Sequence, residues 1–108
     1  MMVWKIAPAL AAGCSILFKP AENTPLSALR IFELFDKIEG YPKGCFNLLN
    51  GYGNVTGQAF AEHMDIDKIA FTGSTKVGKH LAKTAAESNL KRCTLELGGK
   101  VKHTSQLL

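Results

Sequence analysis

The sequence predicts an α/β fold built on an open parallel sheet with flanking helices, and three observations predict it. Short apolar runs alternate with longer segments whose apolar residues recur at helical spacing, the pattern of successive βαβ units. Glycine or proline stands at most junctions between the two kinds of segment. The composition, 46% hydrophobic and 20% charged over 108 residues, suits one small packed domain and not a disordered chain.

Residues 4–12 read as the first helix, with Pro8 in an early turn, where a missing N–H costs little, and Gly13 as its stop. Ile16, Leu17 and Phe18 follow as a strand closed by Lys19-Pro20, because proline has no N–H to give to a ladder. Thr24-Pro25 predicts the next helix start, with threonine as the cap and proline at the first helical position. Leu26, Leu29, Ile31, Phe32, Leu34, Phe35 and Ile38 lie mostly at helical spacing and predict the longest helix, ending at Gly40. Residues 45–49 are the second strand, followed by the Gly51-Tyr52-Gly53 turn and a short helix ending near His63. Residues 68–71 are the third strand, 74–87 the helix after it, and 92–97 the fourth strand. Four strands with intervening helices make a Rossmann-like sheet, whose ligand crevice lies at the carboxyl ends of the strands. Residues 101–108 fit no element.

The net charge of +4 comes from lysines scattered along the chain, with no basic run and no interleaved aromatics, which argues against a nucleic-acid partner. Cys14, Cys45 and Cys93 are odd in number and lack metal-ligand spacing, so neither a disulfide framework nor a zinc site is indicated and a reducing compartment fits, the cytoplasm being expected with mitochondria as the alternative for a full-length form. His63, His80 and His103 have no partner spacing and read as surface residues, while Phe60 and Met64 read as core. Leu10-Ala11-Ala12-Gly13-Cys14 after an apolar run has the look of a lipoprotein cleavage box. The rival reading, a helix end followed by a buried strand, is preferred because the run continues directly into Lys19-Pro20. No run approaches the ~20 apolar residues of a membrane span.

Two strings near the end carry the chemistry. In Phe71-Thr72-Gly73-Ser74-Thr75-Lys76-Val77-Gly78 a strand enters a glycine-serine turn that opens a helix. Gly73 lets a ligand approach the backbone, Ser74 can cap the helix and offer its hydroxyl to a phosphate, and Gly78 allows close packing on a strand. From spacing alone, an ordinary capped helix with a packing glycine remains the alternative. In Leu95-Glu96-Leu97-Gly98-Gly99-Lys100 alternation puts the leucines on one face and Glu96 on the other. Spacing leaves Glu96 either as a carboxylate turned to water or as an acid-base group.

The pair of strings, together with Lys19-Pro20-Ala21-Glu22-Asn23-Thr24-Pro25, resembles the NAD(P)-dependent aldehyde dehydrogenase superfamily. The resemblance implies that residues 1–100 are part of that family's NAD-binding domain and that 101–108 are a divergent tail. It implies that Lys19 and Glu22 hold the adenosine ribose, that Gly53 passes close to the adenine, and that Gly73 and Ser74 lie beside the pyrophosphate. Gly78 and Leu97 complete the cofactor-binding set. A carboxylate at Glu22 accepts from ribose hydroxyls and repels a 2′-phosphate, so NAD is expected in preference to NADP. Glu96 is expected as the general base that activates water against a thioester, a role that requires its burial.

The activity implied is oxidation of an aldehyde to a carboxylic acid, closest to the cytosolic and mitochondrial group acting on small and retinoid-like aldehydes. The family's nucleophilic cysteine lies downstream of the Leu95–Gly99 string and its carbonyl-polarising asparagine upstream of Met2, so a truncated and inactive segment is expected. Cys14 stands where the family usually has asparagine, and Lys76 where it often has an acid or a small residue. A non-catalytic nucleotide-binding or interaction fragment, associating with homologous subunits, is the alternative.

Overall fold

The computed structural model describes residues 1–98, which fall into two compact units divided after Ala59. Gly99, Lys100, the 101–108 tail and His103 lie outside the described residues.

The first unit runs α1 Met2–Ala11, β1 Ile16–Phe18, α2 Leu26–Asp36 and β2 Phe46–Leu48, then a single wide turn at Gly53–Gly57. Pro8 sits inside α1, past its opening turns, and the helix begins at Met2, two residues before the expected start. The end of α1 follows the sequence closely. Gly13, at φ +75, donates to Leu10 O and Cys14 donates to Ala9 O, each at 3.0 Å, so the Leu10–Cys14 box is folded as a glycine-terminated helix end. At α2, Pro25 is itself the flanking residue and Thr24 makes no side-chain cap; its N–H closes a turn on Ala21 O. α2 stops at Asp36, short of Gly40, and leaves Ile38 51% exposed beyond its end.

β1 and β2 pair in parallel, Ile16 opposite Phe46 and Phe18 opposite Leu48, with α2 as the crossover between them. Phe46 is buried, and the rings of Phe18, Phe32 and Phe35 meet it edge to face at 6.5, 5.5 and 5.2 Å. This aromatic cluster seats α2 on the strand pair and fixes where the two carboxyl ends emerge.

The second unit holds β3 Lys68–Ser74, α4 Thr75–Glu87 and β4 Arg92–Gly98, while the short α3 Gln58–Glu62 straddles the division. β3 pairs in parallel with β4 along seven residues, Lys68 opposite Arg92 through Ser74 opposite Gly98. The expected four strands are therefore present with βαβ connections, hydrogen-bonded as two parallel pairs. α4 buries Gly78, Leu81, Thr84 and Ala85. Met64 is 63% exposed and is not core, because it lies in the turn after α3 with its backbone carbonyl held by Asn89. Phe60 is half-buried, and His63 and His80 are exposed as expected.

Candidate cofactor-binding site

In the first unit, parallel pairing brings the carboxyl ends of β1 and β2 side by side, and Leu49 donates to Phe18 O at 2.9 Å where they diverge. Lys19 and Glu22 leave one strand end; the 50–53 turn leaves the other. The turn holds both side chains. Lys19 Nζ donates to Gly51 O at 2.9 Å and to Pro20 O at 2.9 Å, and the Gly53 N–H donates to Glu22 Oε2 at 2.8 Å. An open cleft of about 200 Å³ lies here, lined by Glu22, Pro25, Asn50, Gly51 and Tyr52.

Gly51 is needed at its place. Its φ is +154, and a Cβ there would run into the Thr56 side chain. Lys19 has one ammonium hydrogen beyond its two carbonyl partners, and the Glu22 carboxylate has acceptor capacity beyond the Gly53 bond. Lys19 and Glu22 can therefore give one hydrogen bond and take several, with an exposed tyrosine ring beside them.

In the second unit, β3 runs directly into α4 through Ser74. Ser74 is extended at φ −70, ψ 147, and its Oγ accepts from the Val77 N–H at 3.3 Å, the helix cap expected from the sequence. Its own O–H remains available as a donor at the positive end of the helix.

Gly73 has an internal neighbour at the position of its missing side chain. A Cβ there would collide with the ring of Phe71, two residues back on the same face of β3. Gly78 meets the prediction of close packing on a strand, and the strand residue is Leu97, whose Cγ would lie 3.4 Å from an added Cβ. Leu97 is thus a packing partner of α4 with 38% of its surface still open.

Glu96 stands opposite Thr72 across the ladder, and Thr72 Oγ1 donates to its Oε2 at 3.2 Å. Glu96 is exposed. The low-dielectric enclosure that a general base needs is not formed by the described residues.

A model of the aldehyde dehydrogenase family matches residues 1–104. The chain belongs to that family. It is 58% identical over 100 residues to aldehyde dehydrogenase 1A1 of Equus caballus, a match covering 93% of this chain and 20% of that protein. Among solved structures it is similar to PnpE in complex with nicotinamide adenine dinucleotide, at 56% identity and a TM-score of 0.86, over 92% of this chain and 20% of that one. A variant of the P. syringae AldA indole-3-acetaldehyde dehydrogenase in complex with NAD+ and IAA matches at 51% identity and a TM-score of 0.88, over 93% of this chain and 20% of that one. The chain spans about a fifth of the length of the curated relatives it matches.

The three thiols of this aldehyde dehydrogenase segment are not joined in disulfides. Cys93 is half-buried within β4, and burial pushes its thiol up from the ordinary value of 9.0, disfavouring the thiolate. Cys45 precedes β2 and its carbonyl accepts from the Ile16 N–H at 2.7 Å, while Cys14 is exposed beyond α1. Among the described residues no group of acids, histidines and cysteines could hold a metal ion, and no helix is long and apolar enough to cross a membrane.

Sequence reasoning missed Gly51, Asn50 and Tyr52 as parts of the first cleft. The Gly51-Tyr52-Gly53 string signalled a turn, but only the pairing of β1 with β2 brings that turn's backbone onto Lys19 and Glu22.

Proposed function

We propose that these residues form an NAD-binding segment that serves oxidation of an aldehyde to a carboxylic acid. The observation that carries the proposal is the pair of side chains, Lys19 and Glu22, held on the 51–53 turn at the carboxyl ends of two parallel strands. A carboxylate in that place takes hydrogen bonds from ribose hydroxyls and repels a 2′-phosphate, which favours NAD over NADP. The solved relatives bound to NAD support the same cofactor class.

Each unit offers part of what a nucleotide needs. In the first, Glu22 accepts from hydroxyls and Lys19 gives its remaining N–H; in the second, Ser74 gives its O–H at a helix N-terminus that favours a phosphate. When bound, NAD supplies the hydride acceptor for aldehyde oxidation. Glu96 is the acid-base group of the proposal, oriented by Thr72 and requiring enclosure by further protein. A polypeptide of these 108 residues alone binds without turnover, because Cys14, Cys45 and Cys93 are not placed to attack a carbonyl. The three unpaired thiols suit a reducing compartment, and we assign the protein to the cytoplasm, which cell fractionation tests.

Titration of NAD, NADP and AMP against the chain, followed by NMR or calorimetry, tests the cofactor. NAD binds weakly and Glu22→Ala lowers its preference over NADP; equal affinities for all three nucleotides, unchanged by the substitution, refute the assignment. Aldehyde-dependent NADH formation abolished by Cys14→Ser, Cys45→Ser or Cys93→Ser refutes the lack of turnover.

Among the described residues each sheet has two strands, so every strand is an edge, which favours a second role in which the segment associates with a homologous subunit. Sedimentation with and without a full-length homologue separates the two, since cofactor binding alone requires no complex.

A further inference from the structure

The 51–53 turn offers its backbone to the two charged side chains with matched polarity. A carbonyl, Gly51 O, faces the Lys19 ammonium, and an N–H, that of Gly53, faces the Glu22 carboxylate. Glu22 is exposed and follows Pro20-Ala21 on an irregular stretch, so the strand does not by itself fix where its carboxylate points. The 2.8 Å bond from Gly53 is the contact that does.

We propose that Gly53, through its backbone N–H, is the positioning residue that sets cofactor choice: it aims the Glu22 carboxylate so that a ribose 2′-hydroxyl is accepted and a 2′-phosphate is refused. The inference rests on the reading of this cleft as a cofactor site. The geometry gives discrimination a backbone origin. A carboxylate free to turn away would admit the 2′-phosphate at the cost of one rotamer change, whereas one tied to Gly53 must break a charge-assisted hydrogen bond first.

The local backbone allows a sharp test. Gly53 begins the Gly53–Gly57 turn, outside the left-handed region, and a Cβ added there would meet only Glu22 Oε2, at 3.8 Å. Tyr52 before it is extended, at φ −71 and ψ 147, the conformation that a following proline requires. Gly53→Pro therefore deletes the N–H at a position suited to proline, and Gly53→Ala adds the carbon while keeping the N–H.

The first measurement uses the chain without nucleotide: Glu22→Ala shifts the Gly53 amide proton in the 1H–15N spectrum, and an unmoved resonance overturns the proposal whatever the nucleotides do. The second is titration of NAD and NADP. Gly53→Pro lowers the preference for NAD about tenfold, as Glu22→Ala does, and Gly53→Ala, which keeps the N–H, retains more of that preference than Gly53→Pro. If Glu22→Ala loses the preference and Gly53→Pro keeps it, with native-like dispersion in its spectrum, the positioning role is refuted and the cofactor site stands. If the parent chain itself binds no NAD, the cofactor reading fails and takes this proposal with it, an outcome marked by failure of the parent and not of a variant.

Discussion

Leu97 of β4 fills the space left by the absent side chain of Gly78 on α4, with its Cγ 3.4 Å from where a Cβ would stand. Gly78 is buried one turn into the helix, so α4 approaches the strand pair at the point where β3 delivers Ser74 to the helix start. The packing glycine and the helix cap thus belong to one arrangement: the closeness of helix to strand sets where the open N–H groups of the helix lie.

Gly78→Ala should change stability by less than about 1 kcal/mol, because the better helix propensity of alanine offsets displacing the half-open end of Leu97. Adding Leu97→Ala should remove that displacement. The measurement is a double-mutant cycle by denaturant unfolding; strict additivity of the two changes would show that the contact is unimportant.

Gly73→Ala should be destabilising before any ligand is present, because the new carbon meets the Phe71 ring. Phe71→Leu should relieve it. A Gly73→Ala chain as stable as its parent, yet defective in nucleotide binding, would assign Gly73 wholly to ligand approach.

Burial raises the Cys93 thiol above its ordinary 9.0, so the folded chain keeps that proton when the unfolded chain has lost it. Stability contributed by the protonated thiol is fully present below about pH 9 and falls as pH rises through the folded value. Cys93→Ala should flatten the alkaline limb of the stability curve. Thiol labelling near pH 8 should modify exposed Cys14 before Cys93, and the reverse order would contradict the burial.

Lys91 is 6% exposed, and its Nζ donates to Ala61 O and to Ser88 Oγ, both at 2.7 Å. Lys91→Met should cost about 1–3 kcal/mol by removing the charge-assisted bond to the Ala61 carbonyl, which keeps only the Ser88 hydroxyl at 3.3 Å. Hydrogen exchange at the residues around Ala61 and Ser88 should accelerate in the variant. An unchanged unfolding midpoint would show that water replaces the ammonium there.

Much of the fold was legible because local chemistry specifies it. Among the described residues apolar period placed the four strands and the three longer helices, Gly13 marked a helix end, and Ser74 marked a cap. Boundaries drifted where two local signals competed. Thr24 yielded its cap to a turn on Ala21, and α2 broke off before Gly40 although Ile38 keeps helical spacing. At Met64 hydrophobicity was a poor guide, because a turn residue held by its backbone carbonyl exposes its side chain.

The sequence by itself determined the family, the α/β order of elements and the identity of the charged pair Lys19 and Glu22, since each is written in contiguous residues and in a period of two or 3.6. Only the tertiary structure decided what those residues touch. Lys19 is separated from Gly51 by 32 positions and Glu22 from Gly53 by 31, and no local rule joins them. Parallel pairing of β1 with β2 does, by setting the two strand ends side by side so that a backbone carbonyl and a backbone N–H meet an ammonium and a carboxylate. The same holds for Gly73 and Gly78. Spacing announced glycines, but the Phe71 ring and the Leu97 side chain, which settle what a Cβ would meet, come from packing.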